Sequence, residues 1–387
     1  MTEKAAKNKH RDWSQLVPEI LHLIASSLSL DDYYRFQSVC TAWRHATLSR
    51  SAHRHPLPWL VYSMSLTSKT RGFYCLQNKR FYQIPLPKGR CAGTSHGWLI
   101  MSDNIYGSSL LNPFTGNKIS LPNQSLNFPT SKKKVPYWIN KAILSSEPTV
   151  TNIAAGRCVV AAIVWDDNDN HLAFCRPGDQ SWTSYLVGDD FDLNIANITF
   201  SNGKLYAISR FLWLYVFDIV DKPISWRKLA THPLSSIKLE EQEYHNRFYL
   251  VESRGELLLI VRVMLKHLGT WRRCTQSFSV FKLDTRNDPK SWVRVEDIHG
   301  RILFVARGPP QLIELSDFHD LSGFESNCIY YIDDEHNSVD NPNLAIGVFW
   351  LDGWGQKHLF PKDGISCIQN RAPSCVFPSI WITPNPY

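Results

Sequence analysis

The sequence predicts a mainly β protein: a C-terminal β-propeller of about six blades preceded by a small unit of three helices. Three observations predict it. Apolar residues in the first fifty positions follow the helical period, whereas those after residue 58 fall in short runs divided by Gly, Pro, Asn and Asp. Glycine followed by an apolar run then recurs along the chain. Aromatic residues are abundant, with 14 Trp, 15 Tyr and 19 Phe beside 22 Pro and 19 Gly, a mix that favours strands and turns over long helices.

Residues 1–12 carry basic charge without apolar periodicity and read as a disordered basic N-terminus. In "LVPEILHLIASSL", Leu16, Ile20, Ile24 and Leu28 step by four with Leu21 and Ala25 beside them, which predicts the first helix. Pro18 suits its first turn, where a missing N–H costs nothing. "SLDD" offers Ser29 as N-cap with Asp32 three residues on, the start of a second helix. In "FQSVCTAWRHA", spacings of three and four place Phe36, Val39, Cys40 and Trp43 on one side of a third helix. Arg44 and Arg50 then fall towards its polar side and C-terminal end. Helices this short are marginal alone, so the stripe must pack on a small core of its own or on another protein. "SAHRHPLP", residues 51–58, has two prolines and no strong period, and reads as a short, fairly stiff linker.

The repeat begins after it. Gly97, Gly156, Gly203, Gly255 and Gly300 each precede an apolar run, the first four 59, 47 and 52 residues apart. Ser-Trp pairs recur late in the unit at Trp182, Trp226 and Trp292. Strand ends of the form "LYVFD" and "FSVFKLD" come before the last two pairs. A propeller blade needs about 40–50 residues, so the unit reads as four strands per blade. Glycine would mark the turn before a buried inner strand, and Trp would fill the wedge between blades. Blades are expected near 60–90, 91–125, 153–188, 195–230, 247–296 and 300–360, with 126–150 an excursion between them. Lys132–Lys134 in that excursion is a solvated loop tip, or else a nuclear-import or acidic-partner patch. The competing reading of the whole region is a β-sandwich or irregular β domain.

Composition narrows function. A net charge of +7 is far from the dense basic stripe of a nucleic-acid binder, so no nucleic-acid partner is expected. Nine cysteines without a CxxC pair, most in apolar runs, read as reduced buried thiols. No leader-like apolar core begins the sequence, and the greasiest run, "ELLLIVRVML", is short and broken by Arg262. No membrane partner is expected, and a nuclear and/or cytoplasmic location is. "WDDNDN" lacks the Gly and distal Glu of an EF-hand loop and reads, like "IDDEHNSVDNPN", as a turn between strands. His45, His53 and His55 are too irregular for a metal site. Neither GxSxG, HExxH, a P-loop nor a dinucleotide fingerprint occurs, so no catalytic, cofactor or metal residue is expected.

The stretch "LVPEILHLIASSLSLDDYYRFQSVCTAWRHA" resembles an F-box over residues 13–50. The elements that carry the resemblance are Val17-Pro18-Glu19-Ile20-Leu21, Ile24 and Leu28, Asp31 with Phe36, then Val39-Cys40 and Trp43-Arg44. Val17 stands where Leu is usual, and Tyr33-Tyr34 replace an aliphatic pair. Residues 59–387 resemble the KIB-type β-propeller of plant F-box proteins, long catalogued as a domain of unknown function. "ESNCIYYIDDE", "IGVFWLDGWGQKHLFP" and the terminal "SIWITPNP" carry that resemblance, with Tyr331 at a usual Phe position. A C-terminal strand would then complete the first blade, Ile380–Ile382 lying beside Trp59–Tyr62.

The resemblance implies the substrate-recognition subunit of an SCF-type ubiquitin ligase. It would bind a Skp-family adaptor, and through it a cullin, and hold an unknown protein target on the propeller. The adaptor-binding residues it implies are Val17, Pro18, Ile20, Leu21, Ile24, Leu28, Phe36, Val39, Cys40, Trp43 and Arg44. Part of that set would be buried in the helical unit and the rest covered by the adaptor. Two other readings compete: a propeller enzyme, carbohydrate-active, which would not bind adaptor, and a non-degradative scaffold, which would not recruit cullin.

Overall fold

The computed structural model describes residues 12–28, 30–47, 57–63, 69–102, 107–123, 138–165, 170–185, 194–219, 224–230, 244–266, 273–286, 290–317, 324–333, 345–353, 355–358 and 379–385. The chain divides into two compact units, residues 1–56 with 386–387, and residues 57–385. The expected disordered N-terminus up to Arg11, Ser29 as a cap and Lys132–Lys134 lie outside the described residues, whereas Asp12 caps the opening turn.

The helical unit opens with a 3-10 turn, Trp13–Gln15, whose Ser14 N–H donates to Asp12 Oδ1 at 3.0 Å. Helix α1 (Pro18–Ser27) starts on Pro18 at its first position, followed by α2 (Leu30–Gln37) and α3 (Thr41–Thr47). One expectation fails here. The stripe Phe36-Val39-Cys40-Trp43 is not one helix face, because α2 ends at Gln37 and α3 begins at Thr41. The N–H groups of Ser38 and Val39 bond three residues back, to Arg35 and Phe36, and the Ser38 hydroxyl also donates to the Arg35 carbonyl. That side-chain bond competes with helix continuation and closes the last turn tightly. Phe36 and Trp43 meet across the break, ring centroids 4.3 Å apart.

The second unit is a propeller of six sheets. Blade 1 holds β1 (Trp59–Ser63), β2 (Thr70–Cys75) and β3 (Arg80–Pro85). Blade 2 is β4 (Arg90–Ser95), β5 (Trp98–Ser102), β6 (Ser108–Leu111) and β7 (Lys118–Leu121). Blade 3 is β8 (Trp138–Leu144), then the short helix α4 (Val150–Ala154), β9 (Val160–Trp165), β10 (Asn170–Cys175) and β11 (Thr183–Tyr185). Blade 4 is β12 (Ile195–Ser201), β13 (Lys204–Ser209), β14 (Leu214–Asp218) and β15 (Ser225–Ala230). Blade 5 is β16 (Tyr244–Ser253), β17 (Glu256–Lys266), β18 (Arg273–Asp284) and β19 (Ser291–Val295). Blade 6 is β20 (Arg301–Val305), β21 (Gln311–Glu314), β22 (Cys328–Asp333), β23 (Ala345–Trp350) and β24 (Gly355–His358). The last strand, β25 (Ile380–Ile382), returns to blade 1 and pairs antiparallel with β1, Trp59 opposite Ile382 and Val61 opposite Ile380, as expected.

Strands β4, β8, β12, β16, β21 and β25 pack on one another around the central channel. The apolar core lies between blades rather than within one. One cluster joins Ile100 and Leu110 of blade 2 to Val160 and Ala173 of blade 3. Others join blades 3 and 4, 4 and 5, 5 and 6, and 6 and 1.

Four expectations need correction. Residues 126–150 are not wholly an excursion, since β8 is the channel strand of blade 3. Its bulge between Ile139 and Lys141, and the lysine itself, break the alternation that would have revealed it. Gly97, Gly203 and Gly255 turn from the channel strand into the second strand, so the buried run after each is not the innermost one. At these turns both residues have positive φ (Asn202 48° and Gly203 72°), the hairpin geometry glycine favours. Blade 6 has five strands, β20 pairing parallel with β22, rather than two hairpins. The linker ends before Leu57, which is buried in the cluster between blades 6 and 1.

The tryptophan expectation holds. Trp182, Trp226 and Trp292 sit at or just before β11, β15 and β19, each packed against the core shared with the preceding blade. Trp182 and Trp292 are buried and Trp226 partly so.

Candidate functional site

The helical unit has a very small interior. Among the described residues Leu21, Ala25, Tyr33 and Phe36 are buried, with Leu16, Ile24, Leu28, Trp43 and Ala46 packed partly against them. Tyr33, one of the two aromatic departures noted in the sequence, is fully buried and fills the space an aliphatic residue would. Leu21 and Phe36 therefore belong to the unit's own core, and any role in an interface passes through the shape they support.

The remaining apolar residues face outward. Val17 is 54% exposed, Ile20 42%, Leu23 64% and Val39 59%. Val17, Ile20 and Leu23 recur every three residues, so they share one side of α1. Pro18 and Arg44 are exposed, while Ile24, Leu28, Cys40 and Trp43 are half-buried. Trp43 Nε1 donates to the Trp13 carbonyl at 3.1 Å, which ties α3 to the opening turn. Arg44 Nε donates to the Gln37 carbonyl at 3.4 Å. The only charged pair among the described helical residues, Arg35 to Asp32 at 2.9 Å, is exposed and contributes little.

Sequence reasoning missed Leu23 and the exposed Trp13. Leu23 sits beside the i, i+4 series rather than in it, and only the burial of Leu21 and Ala25 reveals which side of α1 is left outside.

In the propeller, the channel opens at each end into a cavity. Where the channel strands finish, about 480 Å³ is lined by Thr94, Ser145, Ser201, Gln311 and Thr383 among others. Where they begin, the cavity is about 580 Å³. The described cysteines are all free thiols, and burial pushes Cys91 and Cys158 up to about 11. Among the described residues no three His, Cys, Asp or Glu come together as a metal site.

Comparison with known proteins accords with this division. The family of KIB1-4 β-propellers matches residues 73–350, and the F-box domain matches residues 13–55. The chain belongs to the KIB1-4 β-propeller family. It is a plant F-box protein in which the KIB1-4 propeller follows the F-box. Relatives in Arabidopsis thaliana span most of it. The putative F-box protein At5g55150 is 24% identical over 388 residues, covering 96% of this chain and 97% of that protein. The putative F-box protein At4g17565 is 23% identical over 357 residues, 85% of each. The F-box/kelch-repeat protein At1g57790 is 29% identical over 267 residues, 67% of this chain and 69% of that protein.

Proposed function

We propose that this protein is the substrate-recognition subunit of an SCF-type E3 ubiquitin ligase. The F-box unit binds a Skp-family adaptor, and through it a cullin, while the propeller holds a protein target. The observation that carries the reading is the exposure of Val17, Ile20 and Leu23 along one side of α1, and of Val39 after α2, on a unit whose described residues bury only Leu21, Ala25, Tyr33 and Phe36. Apolar side chains repeated along an exposed side of a helix form a surface that a partner covers. The mechanism is proximity: the receptor raises the effective concentration of target lysines near the ubiquitin-loaded enzyme and supplies no catalytic group.

The test is adaptor capture by the double variant Val17→Asp/Ile20→Asp. Both side chains are exposed, so the helical core is untouched. A hot-spot loss of about 2 kcal/mol weakens binding on the order of 30-fold, which abolishes co-purification. The propeller's melting temperature should stay at the wild-type value. Full adaptor binding by this variant would refute the reading.

A further inference from the structure

The cavity of about 580 Å³ lies where the channel strands begin, and the charged residues described in its lining are all basic. Lys141 of blade 3, Arg210 of blade 4, Arg247 of blade 5 and Arg307 of blade 6 all contribute to it. None of the described lining residues is acidic; the acidic segments 166–169 and 189–192 lie outside the described residues. Arg90, opening β4, stands next to this group: its Nη2 donates to lining Asn140 at 3.3 Å, and the charge of Arg307 disfavours its own. Four blades thus each bring a cation to this mouth, and a fifth places Arg90 beside it.

Lys141 is the unusual member. It is 7% exposed, and its ammonium lies 5.5 Å from the centroid of the Tyr249 ring across the channel. No described carboxylate or carbonyl pairs with that ammonium, and the charge that acts on it is the like charge of Arg247. Tyr249 Oη is likewise buried without a hydrogen-bond partner among the described residues. Arg262 shows how this fold satisfies a buried cation when no ligand is involved. It is fully buried, donates to Thr275 Oγ1 and to the Ile332 carbonyl, and lies over the Phe278 and Tyr331 rings. Buried charges are paired in folded proteins, and buried donors are bonded. Both rules are broken at one cavity of a size suited to a small ligand.

We propose that this mouth of the propeller binds a phosphate-type dianion, held by the Lys141 ammonium and the Arg247 guanidinium with the Tyr249 hydroxyl as a further donor. A carboxylate brings one charge and two acceptor oxygens, whereas a phosphate monoester brings close to two charges and three acceptor oxygens, enough to meet the Lys141 ammonium, the Arg247 fork and the Tyr249 hydroxyl together. Trp165 and Phe211, both partly exposed at the same cavity, offer flat faces to an apolar or planar body carrying the phosphate. The site lies wholly in the propeller and does not depend on the adaptor reading.

The test is calorimetric titration of the full-length chain at constant ionic strength with inorganic phosphate, phenyl phosphate and a phosphotyrosine tripeptide. Phenyl phosphate should bind saturably and raise the melting temperature. Lys141→Met and Arg247→Gln should each weaken it at least tenfold. Lys141→Met should melt no lower than wild type, which separates lost binding from lost fold. Lys204→Met, whose ammonium pairs with Asp218 at 3.3 Å away from the cavity, should bind as wild type does. A tripeptide that binds more tightly than phenyl phosphate assigns the phosphate to a protein side chain, and a weaker one assigns it to a free small molecule. Absence of saturable binding by all three, or binding unchanged in both cavity variants, overturns the proposal.

Discussion

A methyl group on Gly93 would lie 1.9 Å from the Ala142 carbonyl oxygen, so β4 and β8 approach as closely as only glycine permits. Gly93→Ala should force blades 2 and 3 apart and cost about 1–3 kcal/mol in denaturant unfolding, as overpacking does. The inter-blade tryptophans should lose more when truncated. Trp182→Ala and Trp292→Ala are expected to cost ~3–5 kcal/mol, and the partly buried Trp226→Ala visibly less. Equal losses at all three would contradict their difference in burial. Lys141 makes a pH prediction. Burial, reinforced by Arg247, holds its pKa down to about 7. The other described charges around it are Arg210, His245 and Arg307, none of which favours protonation. A base whose pKa falls on folding binds fewer protons folded than unfolded between pH 7 and its ordinary 10.5, so stability rises with pH there. Relative to Lys141→Met, the wild type should carry its full deficit at pH 6 and recover on the order of 2–3 kcal/mol between pH 7 and 9. A difference that stays flat across that range would show that Lys141 does not titrate there. The tryptophans were legible from sequence because their spacing repeats; Gly93 and Lys141 were not, because Gly93 matters only for the neighbouring strand β8 and Lys141 only for what faces it across the channel.

Closure of the ring depends on one short element. Strand β25 is the channel strand of blade 1, and its Trp381 carbonyl accepts from Thr94 Oγ1 of blade 2 and Gln311 Nε2 of blade 6, both at 2.7 Å. Beyond it, Asn385 continues across the neighbouring blades. Its carbonyl accepts from Asn112 Nδ2 at 2.9 Å, and its Nδ2 donates to Glu147 Oε1 at 2.8 Å. Removing residues 379–387 should therefore leave β1 as an unpaired edge beside an open ring, and such edges recruit other chains. Size-exclusion chromatography should show aggregate instead of monomer. A monomer with the wild-type melting temperature would mean that the clasp contributes nothing. The closing strand was legible because a propeller ring is commonly closed by a late strand that completes the first blade, and Ile380–Ile382 is a short apolar run of that kind. The break between α2 and α3 was not, since periodicity is blind to the Ser38 hydroxyl that caps the turn.

At the scale of the whole chain, the two compact units make a prediction about separability. A fragment of residues 57–385 keeps Leu57, buried at the junction of blades 6 and 1, and should fold as a monomer with the propeller's own melting transition. It should fail to capture adaptor. In cells it should lengthen the half-life of the target it still binds, while the full-length chain shortens it. A fragment that shortens the half-life as much as the full chain would place degradation outside the helical unit.

Sequence alone determined the class of each half. Apolar period distinguishes helix from strand, and a glycine and tryptophan repeat about fifty residues long can bury its faces only by stacking unit on unit. It also marked the F-box elements, whose order and spacing lie within one short stretch. Tertiary structure decided which of those residues remain available, because Val17 and Leu21 are equally apolar and only packing of α1 on Tyr33 and Phe36 buries the second. It likewise decided that strands distant in sequence bring Lys141, Arg210, Arg247 and Arg307 to one mouth. Their spacing along the chain carries no signal, since four blades contribute one residue each and the ring itself supplies the proximity.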